Sequence, residues 1–142
     1  MLTCFKAYDI RGIIDQTLDA SVAFSLGQAF GSQMIDLGES VIAVGRDGRL
    51  SGPDLLEALT RGLLSTGIDV IDLGMVATPM VYFAANQTIN GQKPKSGIMI
   101  TGSHNPPNYN GFKMVLGGAA IYGEKIQGLY QQIQNKSFKQ GQ

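Results

Sequence analysis

The sequence predicts an α/β fold: a three-layer α/β/α domain built on a mixed, mostly parallel sheet of about four main strands. Three observations carry this. Short apolar runs of strand length, Val41-Ile42-Ala43-Val44 and Gly97-Ile98-Met99-Ile100, are continuous rather than alternating, as strands covered on both faces are. Segments of helical periodicity with start and stop signals separate the strand-like runs. Glycine supplies 19 of 142 residues, well above the usual ~7%, as expected of a chain with many tight turns.

The elements follow in order. The opening Phe5 to Gly12 is short and mixed, and reads as a strand or extended loop. Asp19 is placed to cap a helix whose apolar residues Val22, Phe24, Leu26, Ala29, Phe30, Met34 and Leu37 recur mostly at helical spacing, with Gly38 as its stop. Val41 to Val44 reads as a buried strand. Ser51-Gly52-Pro53-Asp54 is a strong helix start, and Leu55, Leu56, Leu59, Leu63 and Leu64 form the stripe behind it, up to Gly67. Ile68 to Leu73 alternates apolar and acidic, as a half-buried strand does. Thr78-Pro79 starts another helix. Ser96 to Thr101 and Phe112 to Leu116 read as strands, and Gly123 to Asn135 as a final helix. The predicted domain spans residues 1–135, with 136–142 as a polar tail or the start of a linker.

Parallel strands aim their carboxyl ends at one edge of a sheet, and the loops leaving that edge carry the chemistry in most such folds. The loops after Val44, Leu73 and Ile100 should therefore converge. The Phe112 strand follows too closely for a crossover helix, so it should run antiparallel to its neighbour.

Composition narrows the function classes. The formal net charge is zero, which recommends neither nucleic acid nor an anionic membrane as partner. One cysteine, Cys4, allows no internal disulfide and has no metal-ligand companions, so a reducing, cytoplasmic setting is expected. No apolar run approaches the ~18 residues that span a bilayer, and the first residues do not read as a leader. Neither G-x-G-x-x-G nor G-x-x-x-x-G-K-[ST] occurs, which argues against a dinucleotide or nucleotide enzyme. Charged residues make up only 15%, so part of the surface is expected to be covered by other domains or by self-association. No Asp or Glu occurs from Leu73 through Gly123, while Lys93, Lys95, His104 and Lys113 do, as suits a site for anionic ligands.

The most informative stretch is Thr101-Gly102-Ser103-His104-Asn105-Pro106-Pro107-Asn108-Tyr109-Asn110-Gly111-Phe112-Lys113. It places Ser, His, Asn and Lys in a loop shaped by two prolines and a glycine at the exit of a buried strand. A serine hydrolase needs a His across from its nucleophile and an acid behind it. Here the sole His is the next residue, and the G-x-S-x-G elbow is missing. A serine that carries a phosphoryl group needs other parts: an exposed hydroxyl, cations to balance about −1.5 to −2 of charge, and N–H donors for the oxygens. Lys113, His104 and Asn105 are of those types.

This loop resembles the phosphoserine loop of the α-D-phosphohexomutases. The element Ala7-Tyr8-Asp9-Ile10-Arg11-Gly12 and the turn Gly45-Arg46-Asp47-Gly48-Arg49-Leu50-Ser51 resemble two further family motifs, in the same order and at similar separations. The resemblance covers nearly the whole chain and is nearest to the bacterial phosphomannomutase/phosphoglucomutase branch. It implies a first domain of four, from an enzyme that interconverts hexose 1-phosphate and hexose 6-phosphate of mannose or glucose through a bisphosphorylated sugar. It implies that Ser103 is the phosphoserine, whose phosphoryl oxygen also ligates Mg²⁺. Lys113 would neutralise charge at the reacting phosphate, Tyr8 and Arg11 would line the cleft, and His104 and Asn105 would orient the loop. The remaining Mg²⁺ ligands of the family come from an Asp-x-Asp-x-Asp run in a later domain, and no such run occurs here. Two other readings stay open: a phosphoglucosamine mutase domain, and a phosphosugar-binding domain without turnover. Arg11 and Asp9 are also placed to pair with each other, and Arg46, Asp47 and Arg49 read as braces between loops rather than as catalysts.

Overall fold

A computed structural model describes residues 10–13, 19–48, 52–75, 94–101, 109–117, 119–120 and 124–135. The elements run β1 (Ile10–Ile13), α1 (Ala20–Asp36), β2 (Val41–Arg46), α2 (Gly52–Ser65), β3 (Asp69–Met75), β4 (Gly97–Ile100), β5 (Tyr109–Leu116), β6 (Ala119–Ala120) and α3 (Glu124–Asn135). They form one sheet in the order β1-β5-β4-β2-β3, with β6 paired to β5. β2 lies parallel to both β3 and β4, whereas β5 is antiparallel to β4, β1 and β6. Every strand but β5 thus runs the same way. The expected mixed, mostly parallel sheet is present, with β2 to β5 as its four main strands.

The helices begin and end where side chains satisfy their free backbone groups. Asp19 caps α1, its Oδ1 accepting from Val22 N at 3.0 Å. Past the helix ends, Gly38 (φ 77°) and Gly67 (φ 95°) take the left-handed conformation that reverses the chain without a Cβ penalty. The two helices pack unusually close. A Cβ on Gly27 would strike Leu59 O and Leu63 N, and one on Gly62 would strike Phe24 O.

One apolar cluster joins these helices to one face of the sheet. Ile42, Val44, Ile98, Ile100, Phe112 and Met114 meet Leu26, Phe30 and Met34 of α1, Leu55, Leu59 and Leu63 of α2, and Ile126, Leu129 and Ile133 of α3. Val41, Ala43, Met99 and Val115 alternate with the strand members of that cluster and are also buried. Both faces of the central strands are therefore covered, which explains why their sequences are continuous apolar runs. The expected helix at Thr78-Pro79 and the proposed cap Ser51 lie outside the described residues.

Two stripe residues depart from expectation. Leu37 and Leu64 read as core but are 58% and 48% exposed. Leu64 follows the fully buried Leu63, and one residue turns a helix by roughly 100°, which carries it off the packed face. Leu37 sits at the C-cap of α1, past the last turn that faces the sheet.

Candidate functional site

With β1 to β4 co-directional, their carboxyl ends, Ile13, Arg46, Met75 and Ile100, lie at one edge, where β5 begins at Tyr109. Residues 102–108 leave and rejoin the sheet there. Ser103, His104 and Asn105 belong to that loop and, like Tyr8, lie outside the described residues. What the structure defines is the frame that holds the loop's two ends.

The leading end is Thr101, which is buried. Its Oγ1 donates to Asp47 Oδ2 at 2.8 Å, and its N–H donates to Gly111 O at 2.9 Å. Asp47 N–H donates in turn to Ile100 O at 3.0 Å. The returning end holds Asn110, fully buried, whose Oδ1 accepts from Gly111 N–H at 2.9 Å. The loop after β2 is thus bound directly to the exit of β4, and that exit to the entrance of β5. Asp47 is the brace the sequence suggested. Thr101 and Asn110 belong to the loop motif, yet nothing in sequence marks a Thr or Asn as buried, so their part in the frame is visible only in the structure.

The other loops also gather at this edge. A Cβ on Gly48 would come within 3.7 Å of Met75 Sδ, so the turn after β2 lies beside the end of β3. Arg46 is half-buried and runs beside the start of α2, where a Cβ on Gly52 would lie 3.4 Å from its Cδ. Arg49 lies outside the described residues.

Lys113 occupies β5, half-buried, paired in register with Met99. It alternates with Phe112 and Met114, which enter the helical cluster, so Lys113 belongs to the opposite face. Arg11 of β1 is paired with Gly111, two residues before Lys113. That register sets Arg11 and Lys113 diagonally across adjacent strands, roughly 7–8 Å apart. The backbone positions of Arg11 and Lys113, the two cations proposed for the cleft, are therefore set on adjacent strands by the pairing. Lys95, which contributed to the electropositive stretch of sequence, is not: it precedes β4 at the far edge.

At that far edge a cleft of about 730 Å³ opens between the end of α1, the turn after β5 and α3, with Asp36, Glu39 and Lys95 on its rim. Among the described residues, Lys113 is not part of its lining. Among the described residues no three His, Cys, Asp or Glu converge in a cluster able to hold a metal ion, so these residues do not by themselves fit Mg²⁺. No helix of the described residues is long and apolar enough to cross a membrane.

Comparison with known proteins agrees with this architecture. Residues 3–140 match the family model described as phosphoglucomutase/phosphomannomutase, alpha/beta/alpha domain I. The chain is 54% identical over 134 residues to a phosphoglucomutase of Neisseria meningitidis serogroup B, covering 94% of this chain and 28% of the relative. It is 50% identical over 137 residues to a phosphomannomutase/phosphoglucomutase of Pseudomonas aeruginosa, covering 96% of this chain and 29% of the relative. A crystal structure of a phosphoglucomutase/phosphomannomutase family protein from Burkholderia thailandensis superposes with a TM-score of 0.96 at 56% identity, over 99% of this chain and 32% of that one. The chain spans less than a third of the length of these relatives. A covered mixed sheet and a match across 3–140 together give one conclusion: this chain belongs to the phosphoglucomutase/phosphomannomutase family, as its α/β/α domain I.

Proposed function

We propose that the natural-length protein carrying this chain interconverts hexose 1-phosphate and hexose 6-phosphate, of glucose or mannose, with Ser103 as phosphoryl carrier. The observation that carries this reading is that Thr101 and Gly111, described residues on the two sides of the serine segment, are held to each other at the carboxyl edge, with Thr101 also held by Asp47, near the backbone positions of Arg11 and Lys113. The relatives named as mutases support it.

In the proposed cycle, the Ser103 Oγ–P bond breaks as the free hydroxyl oxygen of the sugar phosphate forms a new O–P bond; that hydroxyl loses a proton and the departing Ser103 Oγ gains one, so the serine hydroxyl is restored. The product is a bisphosphorylated hexose. After it reorients, its other phosphoryl group returns to Ser103 Oγ, leaving the isomeric monophosphate. Phosphoryl transfer asks mostly for positioning and charge stabilisation. Lys113 and Arg11 would supply fixed positive charge, Tyr8 would line the cleft, and His104 and Asn105 would orient the loop with N–H donors. Mg²⁺, when bound, would balance the charge of the transferring group, with the Ser103 phosphoryl oxygen as one ligand and the others outside this chain. In this account residues 1–135 are the carrier domain and 136–142 lead toward the rest of the polypeptide. The phosphosugar and the other domains of the same polypeptide would be its partners.

The test is turnover of glucose 1-phosphate and mannose 1-phosphate by the natural-length protein, with Mg²⁺ and a trace of hexose bisphosphate, followed by ³¹P NMR. Conversion to the 6-phosphate that vanishes in Ser103→Ala is expected. Conversion that survives Ser103→Ala would remove Ser103 from the role. Preferential turnover of glucosamine phosphates would move the assignment to phosphoglucosamine mutase.

A further inference from the structure

β4 is four residues long and is flanked by two buried hydroxyl residues, Ser96 before it and Thr101 after it. Each hydroxyl donates to a carboxylate at the matching end of β2. Ser96 Oγ reaches Glu39 Oε1 at 2.7 Å, and Thr101 Oγ1 reaches Asp47 Oδ2 at 2.8 Å. Each residue is also tied to β5 or its turn: Gly117 N–H donates to Ser96 Oγ at 2.9 Å, and Thr101 N–H to Gly111 O at 2.9 Å. The strand therefore carries the same clip at both ends, but only one clip borders the serine loop.

Resting on the function proposed above, we propose that Thr101 and Asp47 form a positioning pair for that reaction, fixing where the serine loop leaves the sheet. Ser103 is two residues past Thr101, so its Cα lies within about 7 Å of the Thr101 Cα. Any pivot at Thr101 is passed to the serine with little chain to absorb it. The backbone bond to Gly111 holds the Thr101 N–H, and the Asp47 N–H holds the carbonyl of Ile100. The hydroxyl–carboxylate bond adds a side-chain restraint between this exit and the β2 loop. A charge-assisted bond of this kind is short and directional. In-line phosphoryl transfer is sensitive to displacements of this scale, since a misplacement of about 1 Å can cost on the order of 10²-fold in rate.

Ser96 provides the internal control, because its clip is chemically alike and far from the loop. In the natural-length protein, Thr101→Val and Asp47→Ala should each lower kcat at least about tenfold while KM for the hexose phosphate stays within about twofold, as expected when reacting groups are misplaced but binding is intact. Thr101→Ser should recover kcat to within about threefold of wild type, and the double variant should be no worse than about the poorer single one. Ser96→Ala should keep wild-type kcat despite a comparable loss of thermal stability. Amide hydrogen exchange over residues 102–105, measured without substrate, should quicken in Thr101→Val and not in Ser96→Ala. If Thr101→Val does not fold, Asp47→Asn, which keeps an acceptor oxygen but not its charge, replaces it in both measurements and should show the same selectivity. With an active wild type, the proposal stands only if the kcat loss and the faster exchange appear together and Thr101→Ser reverses them; any other pattern overturns it. If the wild-type protein has no mutase turnover, the proposed function fails and the exchange comparison alone decides whether Thr101 positions the loop.

Discussion

The two edges of this sheet are built with the same chemistry and differ in what they hold. At each end of β4 a buried hydroxyl donates to a carboxylate from the adjoining end of β2, at 2.7 Å through Ser96 and Glu39 and at 2.8 Å through Thr101 and Asp47. At the Ser96 end the clip closes directly onto the turn at Gly117. At the Thr101 end it stands at the base of residues 102–108, whose return to the sheet is held by Asn110 and Gly111. The far edge also has the cleft rimmed by Asp36, Glu39 and Lys95, charges of both signs. The other edge is where the parallel strands end, with Arg46, Met75 and Ile100 as the last residues of β2, β3 and β4.

Several changes would break or sharpen this contrast. Ser103→Ala should have the largest effect, lowering mutase turnover of the natural-length protein by more than about 10³-fold with little change in melting temperature, since a carrier hydroxyl has no substitute. Lys113→Met should come next, with a loss on the order of 10²-fold in kcat, the scale for removing one preorganised charge-stabilising group. A Lys113→Met protein with normal turnover would place the decisive cation elsewhere.

Gly62→Ala tests what lies beneath both edges. Its methyl has nowhere to go against Phe24 O, so unfolding in urea should show a loss of about 1–3 kcal/mol or more, as overpacked cores do. Ser96→Ala and Thr101→Val should each cost roughly 1–3 kcal/mol in the same assay, the range for a buried hydrogen bond to a charged group. Equal stability losses with unequal effects on turnover would sharpen the contrast between the edges, and equal effects on both would erase it. Glu57→Gln should be smallest. Its 3.9 Å pair with Arg61 on α2 is exposed, and such pairs contribute less than about 1 kcal/mol, so urea midpoints should barely move.

Much of this was legible before the structure. The Asp19 cap, the β2 and β4 runs and the antiparallel β5 all follow from local rules, because caps, breakers and continuous apolar runs act within a few residues. Other features were not. β5 begins at Tyr109 rather than Phe112, since the polar Tyr109-Asn110-Gly111 segment becomes strand only by pairing with β1. β6, two alanines beside the end of β5, has no signal of its own. The gap in acidic residues from Leu73 to Gly123 looked like a single positive site, yet the fold sends Lys95 to one edge and Lys113 toward the other half of the sheet. The clips were invisible because their partners are 57 and 54 residues apart.

The sequence alone determined the layered α/β class, where the strands end and which residue types stand at their exits, because apolar period, turn chemistry and side-chain identity are local properties. Tertiary structure decided which groups meet: Thr101 with Asp47, Ser96 with Glu39, Gly27 against the backbone of α2. Those meetings depend on strand register and helix approach, which only the packed core fixes.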